Sequence, residues 1–257
     1  MYVGVDLAWG GRARTGLATV DSSGALLDVA EAVTDEQVLD RMVQWTAGGC
    51  LVAFDAPLVV ANPTGSRECE RLVGRYFGRF GASCHPSSLA NPAFSDGGRA
   101  ARLARGLGLD TAAGSTEPRR AIEVYPHPAM IVLFGLTRIL RYKAKPGRAF
   151  ADLRDEMLRL VGCVEGLAQA EVPMRVAGHA GWRALRRGVE RATRTADLRR
   201  VEDRVDAVVC AYIAILTVTR PEAVRTLVGA DGGYVVTPVT PAIADRIDGS
   251  GGAHGRH

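Results

Sequence analysis

The sequence predicts an α/β fold: a mixed five-stranded sheet flanked by helices, with a large insertion after the fourth strand. Three observations lead there. The chain opens with three short apolar segments joined by tight turns, which read as an antiparallel meander. A helix and then a wholly apolar strand follow, the pattern of a sheet centre covered on both faces. Acidic residues stand at the ends of the first, fourth and fifth strands, and another interrupts the most apolar helix.

Residues 2–8 read as a buried strand on the run Tyr2-Val3-Gly4-Val5, and Gly10-Gly11 makes the turn after it. Residues 15–20 and 25–33 are the next two strands, separated by Asp21-Ser22-Ser23-Gly24. Thr34 and Gln37 form a capping box for a helix reaching about Thr46, where Gly48-Gly49 stops it. Residues 51–55 form the fourth strand. The stretch 58–118 is rich in Gly, Pro, Ser and Arg and is too long for an ordinary connection, so it reads as a functional insertion or lid, with helical segments at 67–80 and 99–107.

Residues 120–124 are the fifth strand, and Pro128 suits the start of a helix over 129–135. A basic loop, 138–148, leads into helices near 149–165 and 181–193. The strongest helix covers about 197–219 and stops at Pro221. A short strand at 234–237 is expected to close a sheet edge. The domain is read as residues 1–248, with 249–257 a disordered tail.

At 257 residues with 47% hydrophobic content, the chain suits one substantial domain. The net charge of +4 permits a phosphate-bearing partner without demanding one, and no block of like charge resembles a nucleic-acid arm. The basic residues are almost all Arg, with Lys only at 143 and 145. Five cysteines without a CxxC pair read as reduced thiols. No signal peptide is recognisable, and the longest apolar stretch falls short of a membrane span. The expectation is a soluble, cytoplasmic protein that does not enter a membrane.

Asp6, Asp55, Glu123 and Asp206 are the candidate catalytic residues, and with Asp203 they are the candidate metal ligands. A carboxylate at a buried strand end must be paired, protonated or metal-bound, because burying a bare charge is too costly. Hard divalent cations such as Mg²⁺ or Mn²⁺ take carboxylate oxygens and keep waters for substrate. Asp203 and Asp206, three apart, share a helical face. Each acid also has a structural reading. Asp6 would cap the glycine turn, Asp55 would mark a strand exit, Glu123 would pair with Arg119 or Arg120, and Asp203 would be an ordinary helix acid. Lys143, Lys145 and Arg148, in one loop, are candidate ligands of a substrate phosphate; the alternative is a solvated basic loop. His127 and His85 read chiefly as loop histidines, and Trp9 as a core or rim aromatic.

The segments Gly4-Val5-Asp6-Leu7-Ala8-Trp9, Phe54-Asp55-Ala56-Pro57-Leu58, Glu123-Val124-Tyr125-Pro126-His127-Pro128, Tyr142-Lys143 and Asp203-Arg204-Val205-Asp206-Ala207 resemble the motifs of the DUF429 group. That is a family of unknown function predicted to be RNase H-like nucleases, and the resemblance covers roughly residues 2–238. The chain is also similar to Holliday-junction resolvases of the RuvC type, whose final helix carries an acid pair at i and i+3. The resemblance implies an RNase H-like core and a metal-dependent phosphodiesterase acting on nucleic acid or a nucleotide through two Mg²⁺ or Mn²⁺ ions. Two other classes compete. A nucleotide-dependent phosphotransferase of the actin and sugar-kinase class would also place Asp6 after a Gly-Val-Asp strand, but needs a second phosphate loop. A non-catalytic nucleic-acid-binding protein would keep the fold alone.

Overall fold

The computed structural model describes residues 1–8 and 13–251. The expected turn at Gly10-Gly11, Trp9, and the tail beyond Gly251 lie outside the described residues.

Strands β1 (Tyr2–Asp6), β2 (Thr15–Val20), β3 (Leu26–Ala32), β4 (Cys50–Phe54) and β5 (Arg119–Glu123) form one sheet in the order β3-β2-β1-β4-β5. The first three strands are the expected antiparallel meander. β4 pairs in parallel with β1, and β5 in parallel with β4. All five residues of β4 are buried, as its unbroken apolar sequence requires. The parallel register sets Val5 beside Phe54 and Phe54 beside Glu123. Asp6 and Asp55 therefore leave the same end of neighbouring strands, and the Asp55 amide donates to the Val5 carbonyl at 2.8 Å.

Helix α1 (Asp35–Val43) joins β3 to β4, and its N-terminus is closed by the Thr34–Gln37 capping box. The long connection from β4 to β5 holds α2 (Glu68–Phe77) and α3 (Arg99–Gly106). It is riveted to the core by two buried arginines. Arg67 reaches Glu123, and Arg99 binds Asp35, Thr15 and the carbonyls of Ala8 and Val33. α4 (Pro126–Leu133) follows β5 and begins earlier than expected, with Pro126 rather than Pro128 in its first position.

Helices α5 (Phe150–Gly166) and α6 (Ala180–Glu190) pack on the central helix α7 (Thr195–Thr219), which lies across β1 and β2. Every residue from Val205 to Leu216 is buried, because α7 is covered by the sheet on one side and by helices on the other. Its approach to the sheet is close enough to require glycine beneath it. A Cβ on Gly4 would fall 1.9 Å from the Ala207 carbonyl oxygen, and one on Gly16 would fall 1.9 Å from that of Asp203. Gly4 and Asp6 share a face of β1, and Asp6 pairs with Gly16, so this contact carries α7 directly over Asp6.

Two expectations at the C-terminal end need correction. The segment 234–237 does not close an edge of the main sheet. It belongs to a separate antiparallel hairpin, β6 (Val224–Val228) with β7 (Tyr234–Pro238), which lies beside the β5 region through a backbone bridge between Val124 and Val236 and a hydrogen bond from the Tyr234 hydroxyl to the Ala121 carbonyl. Helix α8 (Pro241–Gly251) then runs into what reads in the sequence as tail. All five cysteines are free, and no described helix is long and apolar enough to cross a membrane.

Candidate functional site

Three of the candidate acids meet in one place. β1 delivers Asp6, the end of β4 delivers Asp55, and α7 delivers Asp206, whose side chain is fully buried. Lys143 stands among them. Its ammonium lies 2.6 Å from Asp206 Oδ2 and 3.8 Å from Asp6 Oδ2. The Tyr142 hydroxyl donates to Asp206 Oδ1 at 2.7 Å, which fixes the carboxylate from its other side. Neither Asp206 Oδ2 nor Asp6 Oδ2 has a hydrogen-bond partner among the described residues, so both oxygens meet the ammonium as charges without hydrogen-bond alignment.

The electrostatics follow from two carboxyl groups sharing one ammonium, with a third, Asp55, near enough to feel its charge. Burial raises Asp6 well above the usual carboxylate range. Lys143 opposes the shift, and Asp55, Asp206 and Asp203 add to it. Asp55 is pushed up to about 7 by burial, against Lys143, with Asp206 and Glu123 raising it further. Burial disfavours the charge on Lys143, but Asp206 and then Asp6 overcome it and hold the ammonium charged. Asp203, one helical turn before Asp206, is raised to about 6, mainly by burial. It sits beside the group rather than within it.

Glu123 enters the same cleft but not the same cluster. Its carboxylate is clamped by Arg67, with Nη2 2.5 Å from Oε1 and Nη1 2.8 Å from Oε2, and the Leu58 amide donates to Oε2 at 2.9 Å. Arg67 also binds Glu70 through Nε at 3.0 Å. The pairing read from the sequence, with Arg119 or Arg120, does not occur. Those guanidiniums bind the carbonyls of Leu107 and Glu117. The true partner lies 56 residues away and carries no sequence signal.

The cleft has a volume of about 260 Å³. Asp6, Asp55 and Glu123 lie on its sheet side, Cys84 and His85 of the insertion form one wall, and Lys143, Lys145 and Arg148 come from the basic loop. The insertion thus walls the cleft, as a lid would. Lys143 departs from its expected position as a free phosphate ligand, because it is spent on the acids. Lys145 is exposed, and Arg148 donates to the Lys143 carbonyl at 2.7 Å. His127 lies between Tyr125 and Tyr142, with ring centroids at 5.3 and 5.9 Å. Burial, and then Lys143, lower it to about 4, so it is neutral at pH 7. Tyr142 and Arg67 are the contributors that no residue-level signal had marked, although Tyr142 stands beside Lys143 in a recognisable dipeptide.

The donor chemistry suits a hard divalent cation. Asp6, Asp55 and Asp206 offer only carboxylate oxygens, and two of those oxygens are buried and without hydrogen-bond partners. As the side chains stand, no group of three or more His, Cys, Asp or Glu among the described residues is arranged to hold a metal ion. The Lys143 ammonium is the cation the acids share.

A family model described as a protein of unknown function (DUF429) matches residues 4–231. The chain belongs to DUF429. The match spans all three acids, the clamp on Glu123 and the Lys143 loop. No curated protein and no solved structure matches the chain, so membership in DUF429 brings no activity with it.

Proposed function

We propose that this DUF429 chain is a metal-dependent phosphodiesterase of the RNase H-like type, acting on nucleic acid. One observation carries the reading. Asp6 and Asp206, from two separate elements, share one cation, and Asp55 from a third lines the same cleft beside Asp6, together with Lys145 and Arg148. The strand order, with β1 between β2 and β4 and the acid-bearing helix laid across β1, supports the same assignment. Asp6, Asp55 and Asp206 would hold Mg²⁺ or Mn²⁺, with Asp203 beside them. The metal would supply a water activated near neutral pH and a Lewis acid for the phosphoryl oxygen.

The chain's own groups have distinct tasks in this reading. Tyr142 holds the orientation of Asp206 through its hydroxyl. Lys143 balances the acids when no divalent cation is present. Lys145 and Arg148 grip phosphate at the mouth of the cleft. Glu123 fastens the insertion to β5 through Arg67 and adds negative potential at Asp55. A second reading, a nucleic-acid-binding protein without catalysis, draws its support from Lys143 standing where the cation would bind.

Calorimetric titration with Mn²⁺, paired with cleavage assays on labelled single-stranded and structured nucleic acids, separates the two. The hydrolase reading expects Mn²⁺ binding that Asp6→Asn and Asp206→Asn abolish, and cleavage lost with it and blocked by Ca²⁺. Wild-type protein that binds no Mn²⁺ and cuts nothing refutes it.

A further inference from the structure

Asp6 borders two clefts rather than one. Besides the walled cleft, it lines an open groove of about 510 Å³ on its other side, shared with Arg14, Arg199, Glu202 and Asp203. The two arginines come from different elements. Arg14 immediately precedes β2, and Arg199 lies in the second turn of α7. Both are exposed. Arg14 makes, among the described residues, a surface ion pair with Glu31 at 3.7 Å, a contact worth little and easily exchanged. Among the described residues Arg199 has no hydrogen-bond or salt-bridge partner, and its charge reaches Glu202 only weakly.

Arg199, Asp203 and Asp206 stand at i, i+4 and i+7 on α7 and so share a face. Seven residues of helix place Arg199 about 10 Å from Asp206 along the axis, about three stacked nucleotides of a strand at ~3.4 Å each. Glu202 and Asp203 occupy the part of the groove wall between, and would hold phosphates away from α7 there. Basic residues thus stand on both sides of the acid centre, Lys145 and Arg148 in the walled cleft and Arg14 and Arg199 in the open groove.

We infer that the groove is a second phosphate-binding track, and that the substrate is a single-stranded polynucleotide bound across an internal phosphodiester. A lone nucleotide would fill the walled cleft and leave Arg14 and Arg199 unused. The walled cleft, about 260 Å³, has room for one unstacked nucleotide rather than for a base-paired step. The strand then continues past Asp6 into the groove. The inference rests on the phosphodiesterase reading for the position of the scissile bond.

The test is fluorescence anisotropy with labelled oligothymidylates of increasing length and with labelled thymidine monophosphate, in Ca²⁺ so that no strand is cut. Wild-type protein is compared with Arg14→Ala/Arg199→Ala and with Lys145→Ala/Arg148→Ala, each checked for an unchanged melting temperature. Affinity should rise with length until both clefts are filled. The Arg14→Ala/Arg199→Ala protein should lose that length-dependent gain and flatten the salt slope of the longest oligomer by about 1.4, at ~0.7 per lost contact. Its monophosphate binding should be unchanged. The charge-reversed pair, Arg14→Glu/Arg199→Glu, should weaken the long oligomer further still. An Arg14→Ala/Arg199→Ala protein that binds the longest oligomer with wild-type affinity and slope overturns the track and leaves the hydrolase reading standing. So does a wild-type affinity that does not grow with length. If the wild type binds neither oligomer nor monophosphate, the track falls, and Mn²⁺ titration alone decides the hydrolase reading.

Discussion

Replacing Asp55 by Asn should stabilise the metal-free protein, and by an amount that depends on pH. Asp55 is raised from 3.8 to about 7 by burial and by the Asp206 and Glu123 charges, despite Lys143. A carboxyl group whose pKa is higher in the folded state favours folding when protonated. Its ionisation therefore costs stability progressively as pH rises from about 4 to about 7, and the cost is constant above that. The full cost is at most about 4 kcal/mol at pH 8 and about 1.5 kcal/mol at pH 5. Solvent at the cleft mouth, where Asp55 is only half-buried, screens both toward lower values. Asn carries no charge at any pH, so the Asp55→Asn gain at pH 8 should exceed that at pH 5 by up to about 2.5 kcal/mol. Comparing the two pH values removes any difference in packing between Asp and Asn. Urea unfolding in EDTA at both pH values measures it directly. In saturating Mn²⁺ the order should reverse, since ligand binding stabilises only the protein that retains its ligands. A gain that is equal at pH 5 and pH 8 refutes the argument that Asp55 is held in an acid cluster.

Lys143→Met leaves Asp206 buried without its counter-charge and should cost about 3 kcal/mol in EDTA. Mn²⁺ at about a hundredfold over its Kd should return about 2.7 kcal/mol, read as a recovered melting temperature. Arg67→Ala strands the buried carboxyls of Glu123 and Glu70 and should cost about 3–5 kcal/mol by urea unfolding, part of which Glu123→Gln on the same background restores. Gly4→Ala forces a Cβ against the backbone of α7 and should cost at least about 3 kcal/mol, whereas Gly48→Ala, with nothing within 4 Å, should shift the unfolding midpoint little.

The sequence by itself determined the sheet and its order of elements. Strand and helix are written in local periodicity, so β4 is legible from five apolar residues and the start of α1 from Thr34 and Gln37. The acids at strand ends were legible for the same reason, since a charge closing an apolar run stands out against its neighbours. Asp206 was legible because it breaks the stripe of α7. What the tertiary structure alone decided is which charges meet. Arg67 and Glu123 are 56 residues apart, and Tyr142 and Asp206 are 64 apart. No periodicity links such pairs. In the sequence the 143–148 loop reads as a phosphate grip or a solvated basic surface, and only folding turns Lys143 from either role to the acids. Of the hairpin only β7 is legible in the sequence, because β6 is five residues long and buries just Val224 and Leu227, three apart, without a strand's alternation. The glycines at 4 and 16 were plain in the sequence, but their purpose depends on a helix almost two hundred residues later. That helix packs against backbone rather than side chains there, and only this close approach brings Asp206 to Asp6.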